Sequence, residues 1–332
     1  MPIEFDRSVQ EASFHSPLEE FEEVAVEVEV RRDPLTDRNS RIVPDNFLMS
    51  EDPDIDAVVD DDEGCFFCPD SVDEVTPTYP DWVGMDRGAV GEATSFPNLN
   101  PYGKHSNVVA LTEDHYVPID EFTAAVFEDG LVAALEYVRR VMAHDDDAEF
   151  ASVNMNFLRS AGSSIVHPHV QTLVDDRGTN EQWLQAGAAR AFYEQDGEAY
   201  WPALVDEERD GERYVGATGD VEWVAPFAPK HHRHLVGVVD DPGLPDDGVL
   251  ADLAAGIENA LAYYGDVGLN SFNFALHLTG DDPATPPVFH LVARSVFDEY
   301  YWSDATFFTS LHDEGVVDVA PETYAEEARA FF

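Results

Sequence analysis

Two histidines flank one proline in the segment Val166-His167-Pro168-His169-Val170-Gln171, which follows a glycine and two serines. Side chains at alternate positions of a strand share a face, so an extended segment would direct His167, His169 and Gln171 to one side. Two imidazoles and an amide at one place can bind a metal ion, attack phosphorus or hold a phosphate oxygen. The alternative for the segment by itself is a solvated pair of strand histidines.

The chain has two cysteines, Cys65 and Cys68, and they form a Cys-x-x-Cys pair. Thiolate and imidazole are the ligands that zinc prefers, so the pair predicts a tetrahedral zinc site with His115 and His167. A redox pair of the thioredoxin type is the alternative, but it requires a helix that starts after a strand, and an acidic run precedes these cysteines. We therefore expect zinc, with ligands that only the fold can bring together.

The chain is strongly acidic, with 18 basic and 68 acidic residues among 332 and a net charge of −50. Such a surface repels nucleic acid and anionic membranes, so neither is expected as a partner. A hydrophobic content of 44% still supports a folded core. We interpret the charge as adaptation to molar salt, where the Debye length is about 3 Å. The acidic runs 52–63, 145–147 and 240–241 then belong to solvated surface and not to calcium loops.

The sequence also bears on location. It has no run of uncharged apolar residues long enough to span a bilayer, and its first residues lack the basic and apolar regions of a signal peptide. The close cysteine spacing favours metal or redox chemistry over a structural disulfide. We therefore expect a cytoplasmic protein.

Hydrophobic periodicity predicts the same order of elements in both halves of the chain. In the first half we expect strands at 23–30, 106–112, 150–158 and 167–174, and a helix at 120–144. In the second half we expect a hairpin at 214–224, strands at 235–239, 272–278 and 288–292, and a helix through Leu250 to Tyr264. Aligning the last strands places His290 against His167 and Val292 against His169, so only the first half retains both histidines.

Several motifs in this order resemble galactose-1-phosphate uridylyltransferase, a branch of the histidine-triad superfamily. The resemblance extends from about Val28 to Arg329 and is stronger in the first half. It implies an α+β fold of two tandem histidine-triad-like domains, each a mainly antiparallel sheet with packed helices, at 1–176 and 177–332. The motifs are Arg32-Asp33-Pro34-Leu35-Thr36, Cys65-x-x-Cys68, Phe96-Pro97-Asn98, Glu113-Asp114-His115, Asn156, and Gly162 through the His167-Pro168-His169-Val170-Gln171 string.

The resemblance also implies an activity. His169 would attack the α-phosphorus of a UDP-sugar and form a uridylyl-histidine, which a second sugar 1-phosphate then resolves in a ping-pong exchange. Gln171 would donate a hydrogen bond to a phosphate oxygen. The metal would be Zn²⁺, the partners a UDP-sugar and a sugar 1-phosphate, and the assembly a homodimer. The implied metal ligands are Cys65, Cys68, His115 and His167, and the implied substrate contacts are Asn98, Asn156, Gly162, Ser163 and Ser164.

Some features leave alternatives open. Pro44-Asp45-Asn46-Phe47 stands where the family has arginines near the nucleotide, so the base and the second substrate are undetermined. An adenylyl-transferring relative such as a diadenosine-polyphosphate phosphorylase, or a non-catalytic nucleotide sensor, remains possible. We expect a structural role for His290 and either a core or a pocket position for His277. The cluster His231, His232 and His234 predicts a phosphate-facing or exposed basic loop, with a metal patch as the alternative.

Overall fold

A computed structural model of the protein describes residues 3–44, 53–55, 58–59 and 64–332. The acidic run 52–63 and the departure at 45–47 lie largely outside these ranges. The helices are α1 (Pro69–Val75), α2 (Ala124–His144), α3 (Asn180–Asp196), α4 (Tyr200–Glu208), α5 (Asp247–Asp266) and α6 (Pro321–Ala328). Within the described residues, none of the helices has both the length and the apolar character to cross a membrane.

A large antiparallel sheet organises the molecule, in the order β4-β5-β6-β8-β7-β12-β13-β11-β10-β9. Its strands are β4 (Gly88–Val90), β5 (Ala93–Pro97), β6 (His105–Ala110), β7 (Phe150–Phe157), β8 (His169–Asp175), β9 (Tyr214–Thr218), β10 (Val221–Val224), β11 (Leu235–Val239), β12 (Phe272–Thr279) and β13 (Val288–Ala293). A smaller sheet, in the order β1-β2-β3-β14, contains β1 (Asp6–Ser16), β2 (Glu22–Arg32), β3 (Asn39–Ile42) and β14 (Gly315–Val317).

The two halves of the large sheet have the same topology. From its outer edge inward, each half runs first, second, third, fifth and fourth strand, with one long helix between the third and the fourth. The halves meet where β7 pairs with β12, from Phe157↔Phe272 to Phe150↔Thr279. This arrangement confirms the predicted α+β class. The division of the chain at residue 176 stays a prediction, because the sheet continues through both halves.

The long helices α2 and α5 cover one face of the sheet, because each has a continuous apolar stripe. Leu250, Leu253, Ile257, Leu261 and Tyr264 on α5 are fully buried, as their spacing predicts. Along β8 the side chains alternate, with Val170 and Val174 in the core beneath the helices. His169 and Gln171 must therefore point to the opposite face, which is the face that holds the candidate site.

Most predicted strands lie within two residues of their observed limits, and the smaller sheet was only partly predicted. The strand expected at 23–30 is β2, but its partner β1 has almost no buried residue and hence gave no hydrophobic alternation. The observed β8 begins at His169, two residues later than predicted. Proline at 168 has no N–H to donate to a neighbouring strand, so regular pairing can begin only after it.

Candidate active site and metal centre

The four predicted metal ligands come together from three separate segments. Cys65 and Cys68 precede α1, His115 follows β6, and His167 precedes β8. One ligand atom from each lies within 4.8 Å of all the others. The Sγ of Cys68 is 3.5 Å from Nδ1 of His115 and 3.6 Å from Nδ1 of His167. Among the described residues this is the one group of three or more such side chains that converges in this way.

These distances fit a tetrahedral ion. Zinc–sulfur and zinc–nitrogen bonds of about 2.3 and 2.1 Å at tetrahedral angles separate the two ligand atoms by about 3.6 Å. The Nε2–H of His167 donates to the carbonyl oxygen of Thr112 at 2.8 Å, which leaves Nδ1 unprotonated and facing the thiols. Burial lowers the pKa of His167 to about 4, so the ring is neutral, as a metal ligand must be. The donor set and its geometry therefore suit zinc.

The two histidines of the opening segment have different hydrogen-bond partners, although the ring of Phe67 contacts both. His167 lies before the strand and turns toward the cysteines, whereas His169 is the first residue of β8. The proline between them ends the loop and delays the strand, so one imidazole belongs to the loop and the other to the sheet. The segment therefore provides one metal ligand and one separate imidazole.

The imidazole of His169 has a defined tautomer. Its Nδ1–H donates to the backbone carbonyl of His167 at 2.8 Å, so Nε2 keeps its lone pair. Burial lowers the pKa of His169, and this also favours the neutral ring. The ring of Phe67, between the two cysteines in sequence, packs edge-on against His169 with centroids 5.2 Å apart. The arrangement gives a fixed, neutral imidazole with an unprotonated Nε2 next to the metal cluster.

The predicted polar partners lie in neighbouring positions on the same open face. Met155 pairs with Val170, which places Asn156 beside His169 on the adjoining strand. Gln171 is two residues along β8 from His169 and is partly exposed. Asn98 follows β5, and its side-chain Nδ2 is buried without a hydrogen-bond partner among the described residues. Asn156 and Gln171 are therefore the amides next to His169, whereas Asn98 is level with Ser106 on β6.

The glycine turn that precedes the histidines is held by its own backbone. Gly162 adopts φ of 92°, a left-handed conformation that favours glycine, and its N–H donates to the carbonyl of Arg159. The N–H of Ser163 donates to the carbonyl of Leu158, and its hydroxyl donates to the carbonyl of Ile165 at 2.6 Å. The N–H groups of Gly162 and Ser163 therefore stabilise the turn, in which Gly162 and Ser164 are exposed and Ser163 is buried.

The histidine cluster at 231–234 is largely buried, so the exposed-loop alternative is wrong, while the phosphate-facing one stays a prediction. His232 and His234 are buried, and Nδ1 of His232 lies 2.8 Å from a carboxylate oxygen of Asp318. His234 is opposite Val292 on the next strand, and its Nε2 is 3.1 Å from Nδ1 of His290. Burial lowers the pKa of His234 to about 3. A neutral imidazole therefore contacts His290 in the half that has valine at position 292.

His277 and His290 join this second cluster through an amide. Gln185 on α3 lies 3.3 Å from Nδ1 of His277 and 3.4 Å from Nε2 of His290, and it donates to Glu181 at 2.7 Å. Burial lowers the pKa of His277 to about 4. The cluster is a hydrogen-bonded network of neutral rings, which agrees with a structural role for His290.

Sequence reasoning missed a group of polar residues from the second half. Asn273 on β12 donates to the side-chain oxygen of Asn156 at 2.6 Å, and Arg294 contacts the side-chain oxygen of Asn273. Asp304 binds that arginine at 2.8 Å. No sequence signal marked these residues, because Asn156 and Asn273 are 117 residues apart and meet only where β7 pairs with β12.

Comparison with known proteins shows which family the chain belongs to and which known fold it has. An uncharacterized protein from Archaeoglobus fulgidus is 37% identical over 307 residues, which cover 91% of this chain and 92% of that protein. An ADP-glucose phosphorylase from Arabidopsis thaliana, solved with bound ADP-glucose, superposes with a TM-score of 0.70 at 17% identity over 91% of this chain and 98% of its own. The chain belongs to the archaeal protein's family and has the uridylyltransferase fold.

Two further structures support that fold. A galT-like protein from Arabidopsis thaliana has a TM-score of 0.69 at 18% identity, and a uridylyltransferase has 0.66 at 19%, each over 91% of this chain and 98% of its own. No family model matches the sequence. The predicted likeness to galactose-1-phosphate uridylyltransferases is therefore confirmed in the architecture, at identities too low for the sequence comparison to assign a substrate.

Proposed function

We propose that this protein is a nucleotidyltransferase that acts through a covalent nucleotidyl-histidine on His169. The observation that supports this most directly is the hydrogen bond of 2.8 Å from Nδ1–H of His169 to the carbonyl of His167. It leaves the Nε2 lone pair on the open face of a uridylyltransferase fold. In this proposal the first half, 1–176, holds the nucleophile and the metal, and the second half, 177–332, supports it.

The chemistry needs the neutral imidazole, a nucleoside diphosphate sugar as donor and a phosphate-containing acceptor. The Nε2 lone pair attacks the α-phosphorus while the bond from phosphorus to the bridging oxygen breaks, and sugar 1-phosphate leaves with that electron pair. A phosphate oxygen of the second substrate then attacks the same phosphorus, and His169 leaves with the lone pair restored. Because Nδ1 keeps its proton throughout, the carbonyl of His167 stabilises the positive charge that develops on the ring.

The amides and the turn have separate tasks in this proposal. Gln171 donates to a nonbridging oxygen of the α-phosphate, and Asn156 reaches the same phosphate from the adjoining strand. Asn98 uses its unpartnered Nδ2 toward the nucleotide. The turn of Gly162, Ser163 and Ser164 lies beside the departing phosphate, with the exposed hydroxyl of Ser164 as its hydrogen-bond donor.

Cys65, Cys68, His115 and His167 would hold zinc. The ion would supply a structural crosslink that fixes the loop of His167, whose carbonyl orients His169. Phe67 would also help to fix the two imidazoles, because its ring contacts both His167 and His169. We therefore assign the metal residues to the geometry of the nucleophile and not to contact with substrate.

We propose UDP-hexose and hexose 1-phosphate as the substrates, in a cytoplasmic homodimer adapted to high salt. A second candidate is transfer of an adenylyl group, because the structure at a TM-score of 0.70 is an ADP-glucose phosphorylase with bound ADP-glucose. The two candidates share the nucleophile and differ in the base and in the acceptor, which is a sugar 1-phosphate in the first and inorganic phosphate in the second.

The test is covalent labelling at molar salt with UDP-glucose and ADP-glucose, each labelled at the α-phosphate. We expect an acid-labile label on the wild type and none on His169→Ala. The control is His15→Ala, at an exposed histidine distant in sequence from His169, and it should be labelled like the wild type. The nucleotide that labels faster identifies the base, and release by glucose 1-phosphate, galactose 1-phosphate or phosphate identifies the acceptor. Tight binding of nucleotide without a label on wild type would support a sensor and refute the transferase.

A further inference from the structure

The two halves of the large sheet meet at a pair of asparagines. Asn156 on β7 is opposite Asn273 on β12. Each is also the neighbour of the fifth strand of its own half, Asn156 beside His169 and Asn273 beside Val292. The two residues therefore pair across the junction of the halves, but only Asn156 has His169 at its side.

The side-chain amide of Asn273 has one allowed orientation. Its Nδ2 donates to the carbonyl of Ala161 at 2.9 Å and to that of Met155 at 3.3 Å, as well as to Oδ1 of Asn156. Its Oδ1 accepts from the guanidinium of Arg294. A flipped amide would place oxygen against two carbonyls and nitrogen against a cation, so the flip is excluded by the hydrogen-bond chemistry of its neighbours.

This fixed amide determines the orientation of Asn156. Since Asn273 presents only a donor at 2.6 Å, Asn156 must direct its oxygen toward β12. Its own NH₂ group is then directed away from the NH₂ group of Asn273, and Asn156 is the residue beside His169 on the adjoining strand. A phosphate bound at His169 therefore meets a donor and not a second acceptor.

The anchor for this arrangement lies wholly in the second half. Arg294 follows β13 and binds Asp304 through two contacts, at 2.8 and 2.5 Å. Burial alone would raise the pKa of Asp304, but the hydrogen bond from Arg294 lowers it, so the carboxylate stays charged. The ion pair is nearly inaccessible, with side-chain exposures of 13% and 3%. Asn273 is thus attached to a rigid, charged support.

We propose that Asn273 is a positioning residue for nucleotidyl transfer at His169, acting through the amide of Asn156. This inference rests on the proposed function and gives a task to the half that lacks the nucleophile. The second half holds the donor side of Asn156 toward the phosphate and, through the carbonyl of Ala161, fixes the turn before Gly162.

The test is a double-mutant cycle on the rate of His169 labelling in single-turnover experiments at saturating nucleotide. We expect Asn273→Ala to slow labelling by about 10- to 100-fold, the range for removing a group that orients a ligand-contacting side chain, without reducing its final extent. In an Asn156→Ala background the same substitution should change the rate by no more than about threefold, because the residue through which it acts is absent.

Asn270→Ala is the matched control, because Asn270 makes two hydrogen bonds to the backbone of Phe297, at 2.9 and 2.7 Å, three residues before Asn273. We expect it to lower the thermal unfolding temperature without slowing labelling. The proposal is overturned if Asn270→Ala slows labelling as much as Asn273→Ala, or if Asn273→Ala is as harmful with Asn156 absent as with it present.

A measurement without substrate separates this inference from the proposed function. The side-chain ¹H–¹⁵N signals of Asn156, assigned by their loss in Asn156→Ala, should shift or broaden in Asn273→Ala and remain unchanged in Asn270→Ala. Unchanged signals in Asn273→Ala refute the positioning role whether or not the protein is labelled. If the signals shift but no nucleotide labels the wild type, the proposed transferase activity is refuted, while the contact between Asn273 and Asn156 is supported.

Discussion

The substitution Cys68→Ser removes one ligand of the metal cluster, so the protein should lose its bound metal and unfold at a lower temperature. The cluster joins Cys68 to His115, 47 residues away, and to His167, 99 residues away. Closing a flexible loop of that length costs about 3 to 4 kcal/mol of chain entropy, and a bound ion removes most of this cost from folding. At about 2.1 cal/mol/K of unfolding entropy per residue, such a loss in a chain of this length lowers Tm by about 5 °C.

The assay is elemental analysis of the purified protein, followed by calorimetry in molar salt. Wild type should contain one equivalent of zinc, and Cys68→Ser should contain close to none and unfold about 5 °C lower. Glu74→Ala on α1, at an exposed residue outside the cluster, should match the wild type in both measurements. A Cys68→Ser protein that keeps its metal, or that loses it with Tm unchanged, would contradict the assignment of these four residues.

Three other predictions concern stability. Burial opposes ionisation of Glu322, but hydrogen bonds from Arg31 and Arg213 lower its pKa to about 2. Its contribution to the free energy of unfolding is therefore complete above pH 4.5 and disappears as the pH falls toward 2. In urea unfolding, wild type should be more stable than Glu322→Gln at pH 6, and this difference should be smaller at pH 3. A Cβ on Gly256 would lie 2.2 Å from the buried ring of Trp223, so Gly256→Ala should destabilise the protein by about 1 to 3 kcal/mol. Gly187 in α3 has open space around it, so Gly187→Ala should stabilise the protein by up to about 1 kcal/mol. Calorimetry of both variants tests the two expectations. Because the net charge is −50, the unfolding free energy should rise steadily from 0.2 to 3 M KCl, and a flat profile would reject the halophilic interpretation.

Most strands of the large sheet and the metal ligands of the first half were accessible from the sequence, whereas β4 and β5 were not predicted. Long apolar stripes predicted α2 and α5, and residue type together with the family resemblance selected Cys65, Cys68, His115 and His167 as metal ligands. The smaller sheet was less accessible, because β1 is almost entirely exposed and β14 has only three residues. Strands without a buried face have no periodic pattern to detect.

The sequence by itself determined which residues can do chemistry, because thiols, imidazoles and their spacing are properties of the chain. Only the tertiary structure decided how each imidazole is held. His167 has Nδ1 3.6 Å from Sγ of Cys68, whereas His169 begins β8 and donates from Nδ1 to the carbonyl of His167. The role of Asn273 was likewise invisible in the sequence, since its partner Asn156 is 117 residues away and only the pairing of β7 with β12 joins them.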